Sequence, residues 1–140
     1  MRQIYKYIAL VIITIFSIPL QAKDIHVEKA GTLPSLIGGE KPTVEELTLS
    51  GTLNGTDIRC IRQMEMLRTL DIAECKIVAG GAYYYSKYSK DYSTINDIIN
   101  TYMFTELDSL RNIILPTSIK SIKEYAFSDC DSLHTIILQN

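Results

Sequence analysis

The sequence predicts an α/β solenoid, a stack of short repeats whose strands form a narrow parallel sheet. Two observations predict it. First, residues 99–117 (INTYMFTELDSLRNIILPT) and 122–140 (IKEYAFSDCDSLHTIILQN) are one pattern written twice, 23 residues apart, with nine of nineteen positions identical. A fixed period of about 20–30 residues marks a unit that buries its apolar face only by stacking on copies of itself. Second, an apolar triad at the first, fourth and sixth positions recurs along the chain. It is Val44, Leu47, Leu49; then Leu67, Leu70, Ile72; then Leu110, Ile113, Leu115; then Leu133, Ile136, Leu138. The last three positions of each triad alternate with the strand period of two, so four rungs are expected at 44–49, 67–72, 110–115 and 133–138.

The chain of 140 residues holds one domain at most. Its first 22 residues read as a secretory signal peptide. Arg2 and Lys6 give a basic start, Ile8–Ile18 is an apolar run, and Pro19-Leu20-Gln21-Ala22 resembles a cleavage region with the cut after Ala22. The run is short of the roughly 20 residues that span a bilayer, so membrane contact is expected only if the signal segment stays uncleaved. Loss of Arg2 and Lys6 takes the formal charge from −2 to −4, which excludes a basic surface for nucleic acid.

Residues 23–43 should form an N-terminal cap that shields the first rung. Ile25 and Val27 alternate with polar neighbours as in a short edge strand. Thr32 or Ser35 can start a turn of helix through Leu36 and Ile37, which Gly38-Gly39 stops. Between the first two rungs, Thr56 can cap a helix over 57–65 with Ile58, Ile61 and Met64 on one face. That is one helix for the convex side. The later convex segments are shorter: Ile119-x-x-Ile122 suits a strand or extended turn, and Tyr125-Ala126-Phe127 one helical turn. Phe104 and Phe127 are expected in the core.

The second and third rungs are 43 residues apart, not 23. The excess is a Tyr-rich insertion, 78–98, in which Tyr83, Tyr84, Tyr85, Tyr88 and Tyr92 stand among Ser, Lys and Asp after Gly80-Gly81. A connection of this length either covers a flank or carries function. As a functional loop, its five tyrosines would be contact residues, since tyrosine gives large contact area at low entropic cost.

LxxLxLxx(N/C)xL is the pattern of the leucine-rich repeat, and residues 67–77 match each defined position, with Cys75 in the N/C place. The later units, IxxYxF followed by (E/D)xDSLxxI, resemble the BspA-type bacterial subclass. The resemblance implies a leucine-rich repeat solenoid of about four rungs, with a concave parallel sheet, on a secreted, periplasmic or cell-surface bacterial protein. It extends over residues 27–33 and 53–59, which are similar to the N-terminal cap such proteins carry.

Catalytic chemistry is thinly provided. His26 and His134 are the two imidazoles, and neither lies in a nucleophile–base pattern. GxSxG, HExxH, P-loop and GxGxxG motifs are absent, so no enzyme activity, metal or cofactor is expected. Three cysteines, Cys60, Cys75 and Cys130, form no CxxC pair and are expected as reduced, buried thiols.

Recognition is the expected function. The residues between the inward positions would line the concave face: Glu46, Thr48 and Ser50; Thr69, Asp71 and Ala73; Asn112, Ile114 and Pro116; Thr135, Ile137 and Gln139. The middle row reads Thr48, Asp71, Ile114, Ile137. Two isoleucines there are either a contact for a partner or β-branched residues kept for strand propensity with the loop folded over them. The resemblance implies a protein ligand, such as a host or matrix glycoprotein. The sequence reaches Asn140 without a polar closing unit, which suggests a homodimer through the open last edge. The alternative is the truncated front end of a longer surface adhesin with no independent binding role.

Overall fold

A computed structural model describes residues 20–139. The expected signal segment lies outside the described residues except for Leu20, Gln21 and Ala22. In chain order the elements are β1 (Ala22–Val27), α1 (Leu33–Ile37), a 3-10 turn (Gly38–Thr43), β2 (Glu46–Leu53), α2 (Gly55–Arg62) and β3 (Thr69–Ile77). They continue as β4 (Tyr85–Lys87), β5 (Lys90–Tyr92), β6 (Ile98–Ile99), β7 (Asn112–Leu115), β8 (Ser121–Ile122) and β9 (Thr135–Leu138). No helix among the described residues is long and apolar enough to cross a membrane.

Five strands form one parallel sheet in the order β1-β2-β3-β7-β9. Leu47 pairs with Leu70, Leu70 with Ile113, and Ile113 with Ile136, so the register follows the 23, 43 and 23 spacing of the triads. The cap contributes the fifth strand, because Ile25 aligns with Leu49. A backbone ladder runs along the entry to each strand. Glu45 donates to Gln21 O at 2.9 Å, Arg68 to Glu45 O at 2.7 Å, Arg111 to Arg68 O at 2.8 Å and His134 to Arg111 O at 2.8 Å. A cut after Ala22 would therefore leave the Glu45 and Glu46 N–H groups without the Gln21 carbonyl that both use.

A second, two-stranded parallel sheet, β6 with β8, repeats the same 23-residue offset, pairing Ile99 with Ile122. Between the two sheets lie the buried side chains. Leu47, Leu49, Leu70, Ile72, Ile113 and Leu115 come from the larger sheet, Ile99 from the smaller, and Phe104 and Met103 from the turn between them. Phe127 is half-buried and stacks on Phe104 with centroids 5.6 Å apart.

Four local expectations are corrected. The helix after β2 is α2, which starts at Gly55 and ends at Arg62; its N-cap is Asn54, not Thr56. Asn54 Oδ1 accepts the Thr56 N–H at 3.0 Å, and the Asp57 carboxylate accepts the Asn54 N–H at 2.9 Å, a reciprocal capping box. Thr32 stands at the N-cap of α1, but its hydroxyl donates to Lys29 O, and the chain beyond Gly38 continues as the 3-10 turn. Tyr125 does not open a helical turn: it sits at φ 58°, in the left-handed region, as Tyr102 does one repeat earlier. In the last triad Leu133 is half-buried, while Ile136 and Leu138 are 42% and 58% exposed because no strand beyond β9 covers them among the described residues.

The three thiols are free. Cys60 and Cys75 are buried as expected, whereas Cys130 is only half-buried, its Sγ donating to Phe104 O at 2.9 Å.

Candidate binding surface

The sheet face opposite the core is built row by row from the parallel register. One row runs Ala22, Glu46, Thr69, Asn112, Thr135. The next runs Asp24, Thr48, Asp71, Ile114, Ile137, so the expected middle row is brought together and gains Asp24 from the cap. Thr48, Thr135 and Ile137 are exposed; Glu46, Thr69, Asp71, Asn112 and Ile114 are half-buried. Along this row the chemistry changes from acidic and hydroxylic on β1–β3 to aliphatic on β7 and β9.

The third expected row, Ser50, Ala73, Pro116 and Gln139, is corrected: Pro116 is buried and Gln139 is exposed. A bulge between the partners of Thr48 and Ser50 brings Ser50 opposite Glu74, and the extra residue, Ala73, turns inward and is buried. The Asp71 carboxylate accepts the Ala73 N–H at 3.0 Å and holds the bulge. Ser50 is half-buried and its hydroxyl meets His26 Nδ1 at 2.8 Å, while His26 Nε2 meets Glu28 at 2.9 Å. His26 is a solvated strand residue. His134 is exposed beside β9, its Nδ1 against the Ser132 carbonyl.

The Tyr-rich insertion is a hairpin, β4 against β5, turning at Tyr88 and Ser89 with both φ angles positive. It docks through its own rings. Tyr85 and Tyr92 pack on Tyr102, with centroids at 5.4 and 5.1 Å, and Tyr102 stacks on Tyr125 at 5.4 Å. The repeat tyrosines thus extend as a column into the insertion. Tyr84 is corrected as a contact residue. It is buried and its hydroxyl donates to Thr101 O at 2.7 Å, burial raising its pKa above the ordinary phenol value. Tyr85 and Tyr92 are half-buried in the column; Tyr83 and Tyr88 are the exposed members, Tyr88 at 88%.

A cleft of about 290 Å³ opens between α2 and this hairpin, lined by Arg59, Arg62, Gln63 and the stretch Tyr83–Ser86. Arg62 places its guanidinium 4.6 Å from the Tyr85 ring centroid, and Arg59 lies 5.4 Å from that of Tyr83. Nη1 of Arg62 donates to the carbonyls of Tyr102, Met103 and Thr105 at 3.2, 3.2 and 2.8 Å. Burial lowers the Arg62 pKa from its ordinary value, and Glu106 opposes that shift. This cleft is not legible in the sequence. The three-residue spacing of Arg59 and Arg62 puts both on one helix face, but nothing local says that the hairpin folds back onto it. Among the described residues, no group of three or more His, Cys, Asp or Glu side chains is placed to hold a metal ion.

The family model described as BspA type Leucine rich repeat region (6 copies) matches residues 76–140. No curated protein matches the chain.

Proposed function

Starting from a chain that carries a BspA-type leucine-rich repeat region over residues 76–140, we propose a non-catalytic recognition module, exported and exposed at the bacterial surface or secreted. In this reading the protein is a short leucine-rich repeat solenoid, and the concave face of its parallel sheet meets a protein ligand, such as a matrix glycoprotein, in adhesion. One observation carries the assignment to that face. Ile114 and Ile137 stand side by side in a row whose other members are Asp24, Thr48 and Asp71. A sheet face open to water ordinarily carries polar residues, so an aliphatic pair at the β7–β9 end of the row, with Asp71 beside Ile114, supports an apolar contact patch next to a polar one.

The test is adhesion of the purified chain to immobilised matrix glycoproteins, compared with Ile114→Asp and Asp71→Asn variants of unchanged circular dichroism. A loss of about tenfold or more in Ile114→Asp, about 1.4 kcal/mol, supports this face as the contact. Wild-type adhesion by the folded variant would remove the face from consideration. Export is tested separately, by antibody labelling of intact cells expressing the full chain.

Among the described residues nothing pairs with the outer edge of β9, which favours a second reading of the partner, another copy of this chain. Ile136 and Leu138 are exposed there, while their equivalents Ile113 and Leu115 are buried by the neighbouring strand. An unpaired edge with aliphatic side chains on its core face is a template for strand addition.

A further inference from the structure

We propose that the cleft between α2 and the β4–β5 hairpin binds a carboxylated sugar ring, free or at the end of a glycan. The lining, Arg59, Arg62, Gln63, Tyr83, Tyr85 and Ser86 with Tyr84 behind them, contains two cations and no carboxylate. Neither arginine forms an ion pair within 4.0 Å among the described residues, whose ion pairs are Lys23–Glu40, His26–Glu28, Arg68–Glu45 and Lys120–Asp97. In a chain with more acidic than basic residues, two adjacent unpaired guanidinium groups leave a local excess of positive charge. Two acids stand at the rim and keep their charge: Glu106, which acts on Arg62 and accepts the Tyr85 hydroxyl at 3.0 Å, and Asp91, which accepts the Ser86 hydroxyl at 2.5 Å.

The two arginines have different parts. Arg62 is fixed, because one amino group is held by three carbonyls while its plane lies over Tyr85. Arg59 is exposed, rests over Tyr83 and can swing its planar fork onto an incoming carboxylate in the bidentate geometry that guanidinium favours. The walls select what carries the anion. Tyr83, uncovered when Arg59 swings, offers aromatic surface to the apolar C–H face of a sugar; Tyr85 lies beneath Arg62 and against Tyr102 as a wall, and Gln63 and Ser86 offer hydrogen bonds to the hydroxyls. A bare sulfate or phosphate would leave these walls unused. The volume sits at the lower edge of the about 300–1,000 Å³ typical of small-molecule sites, which suits one ring and not an extended chain.

The site is separate from the sheet face, so its failure and the failure of the adhesion reading can be told apart. The experiment is amide chemical-shift titration of the full chain with glucuronic acid, N-acetylneuraminic acid, glucose and inorganic sulfate. Both carboxylated sugars should move the Arg59, Tyr83 and Tyr85 signals, and glucose should bind at least about tenfold more weakly. Arg59→Gln and Tyr83→Ala both alter exposed side chains, and each should weaken carboxylated-sugar binding by about tenfold. Ile114→Asp should leave it unchanged. To separate a glycan end from a free sugar, a sialylated glycoprotein is compared before and after sialidase treatment; loss of binding on treatment identifies the glycan end. Sulfate as effective as glucuronic acid would reduce the cleft to an anion site and overturn the proposal. So would glucose equal to glucuronic acid, unaltered binding by Arg59→Gln, or no shifts with either carboxylated sugar.

Discussion

The carboxylate of Asp57 accepts the backbone N–H of Leu33, 24 residues earlier in the chain, at 3.0 Å. The same carboxylate takes the N–H of Gly31 at 2.6 Å and that of Asn54 at 2.9 Å. Asp57 is fully buried, and its oxygens accept from three backbone donors, with no ion pair among the described residues. It ties the cap to the start of α2. Replacing it with alanine would leave three donors to find other partners. We expect Asp57→Ala to cost about 3 kcal/mol or more, read as a lower urea midpoint, with Asp57→Asn costing less because it keeps one acceptor oxygen. A midpoint within about 0.5 kcal/mol of wild type would show that the cap does not depend on this group.

The hairpin turn offers a gain in stability. Tyr88 and Ser89 occupy φ values of 52° and 60°, the pair of positive angles that a two-residue hairpin loop requires and that side chains with a Cβ resist. Ser89 is exposed. Ser89→Gly should therefore stabilise the protein by about 0.5–1 kcal/mol, since the relief of strain exceeds the extra freedom gained by the unfolded chain. A thermal midpoint that falls would contradict this geometry.

The parts of the fold that were legible in the sequence were those written as a period. The 23-residue offset became the strand register, and the triads Val44, Leu47, Leu49 and Leu67, Leu70, Ile72 became core because inward positions in stacked strands have no other neighbours. What was not legible depended on contacts distant in sequence. Asn54 displaced Thr56 as the helix cap because Asp57 completes the box while also serving Gly31 and Leu33. Ala73 left the open face because a bulge, invisible to a period-two reading, advanced the register to Glu74. The tyrosines of the insertion were visible as a composition, but whether each faced outward or inward depended on the column begun by Tyr102 and Tyr125.

Cys75 supplies a prediction in pH. Burial, aided by the nearby Asp71, Asp57 and Glu74 charges, pushes its thiol up from 9.0 to about 12. The folded state therefore holds a proton that the unfolded chain releases above about pH 9. The associated stability is complete below pH 9 and is lost progressively as pH rises toward about 12. Cys60, raised by burial as well, acts in the same direction. We expect the urea midpoint to fall between pH 8.5 and about pH 10.5, and a Cys75→Ala variant to show a smaller fall. At pH 8, iodoacetamide should modify the Cys75 thiol in urea and leave it unmodified in the native protein. Equal labelling in both conditions would mean that the β3 strand opens readily.

The last strand yields the prediction with the widest consequence. In β9, Ile136 and Leu138 carry the same side-chain direction as Ile113 and Leu115 of β7, but lie open. Tyr125 and Ile122, the equivalents of Tyr102 and Ile99, are exposed on the same repeat at 57% and 41%. Apolar area on this scale contributes roughly 25 cal/mol per Å² when covered, and the backbone groups of an edge strand add hydrogen bonds to whatever pairs with it. We expect residues 21–140 to run as a dimer in light scattering at micromolar concentration. Ile136→Lys with Leu138→Lys should return it to a monomer, because charges on an edge strand block pairing. The double variant should also keep the pairing of β1, β2, β3 and β7, since neither side chain lies between those strands. A wild-type monomer would show that the β9 edge does not recruit a second copy, leaving the Ile114 face as the surface to pursue.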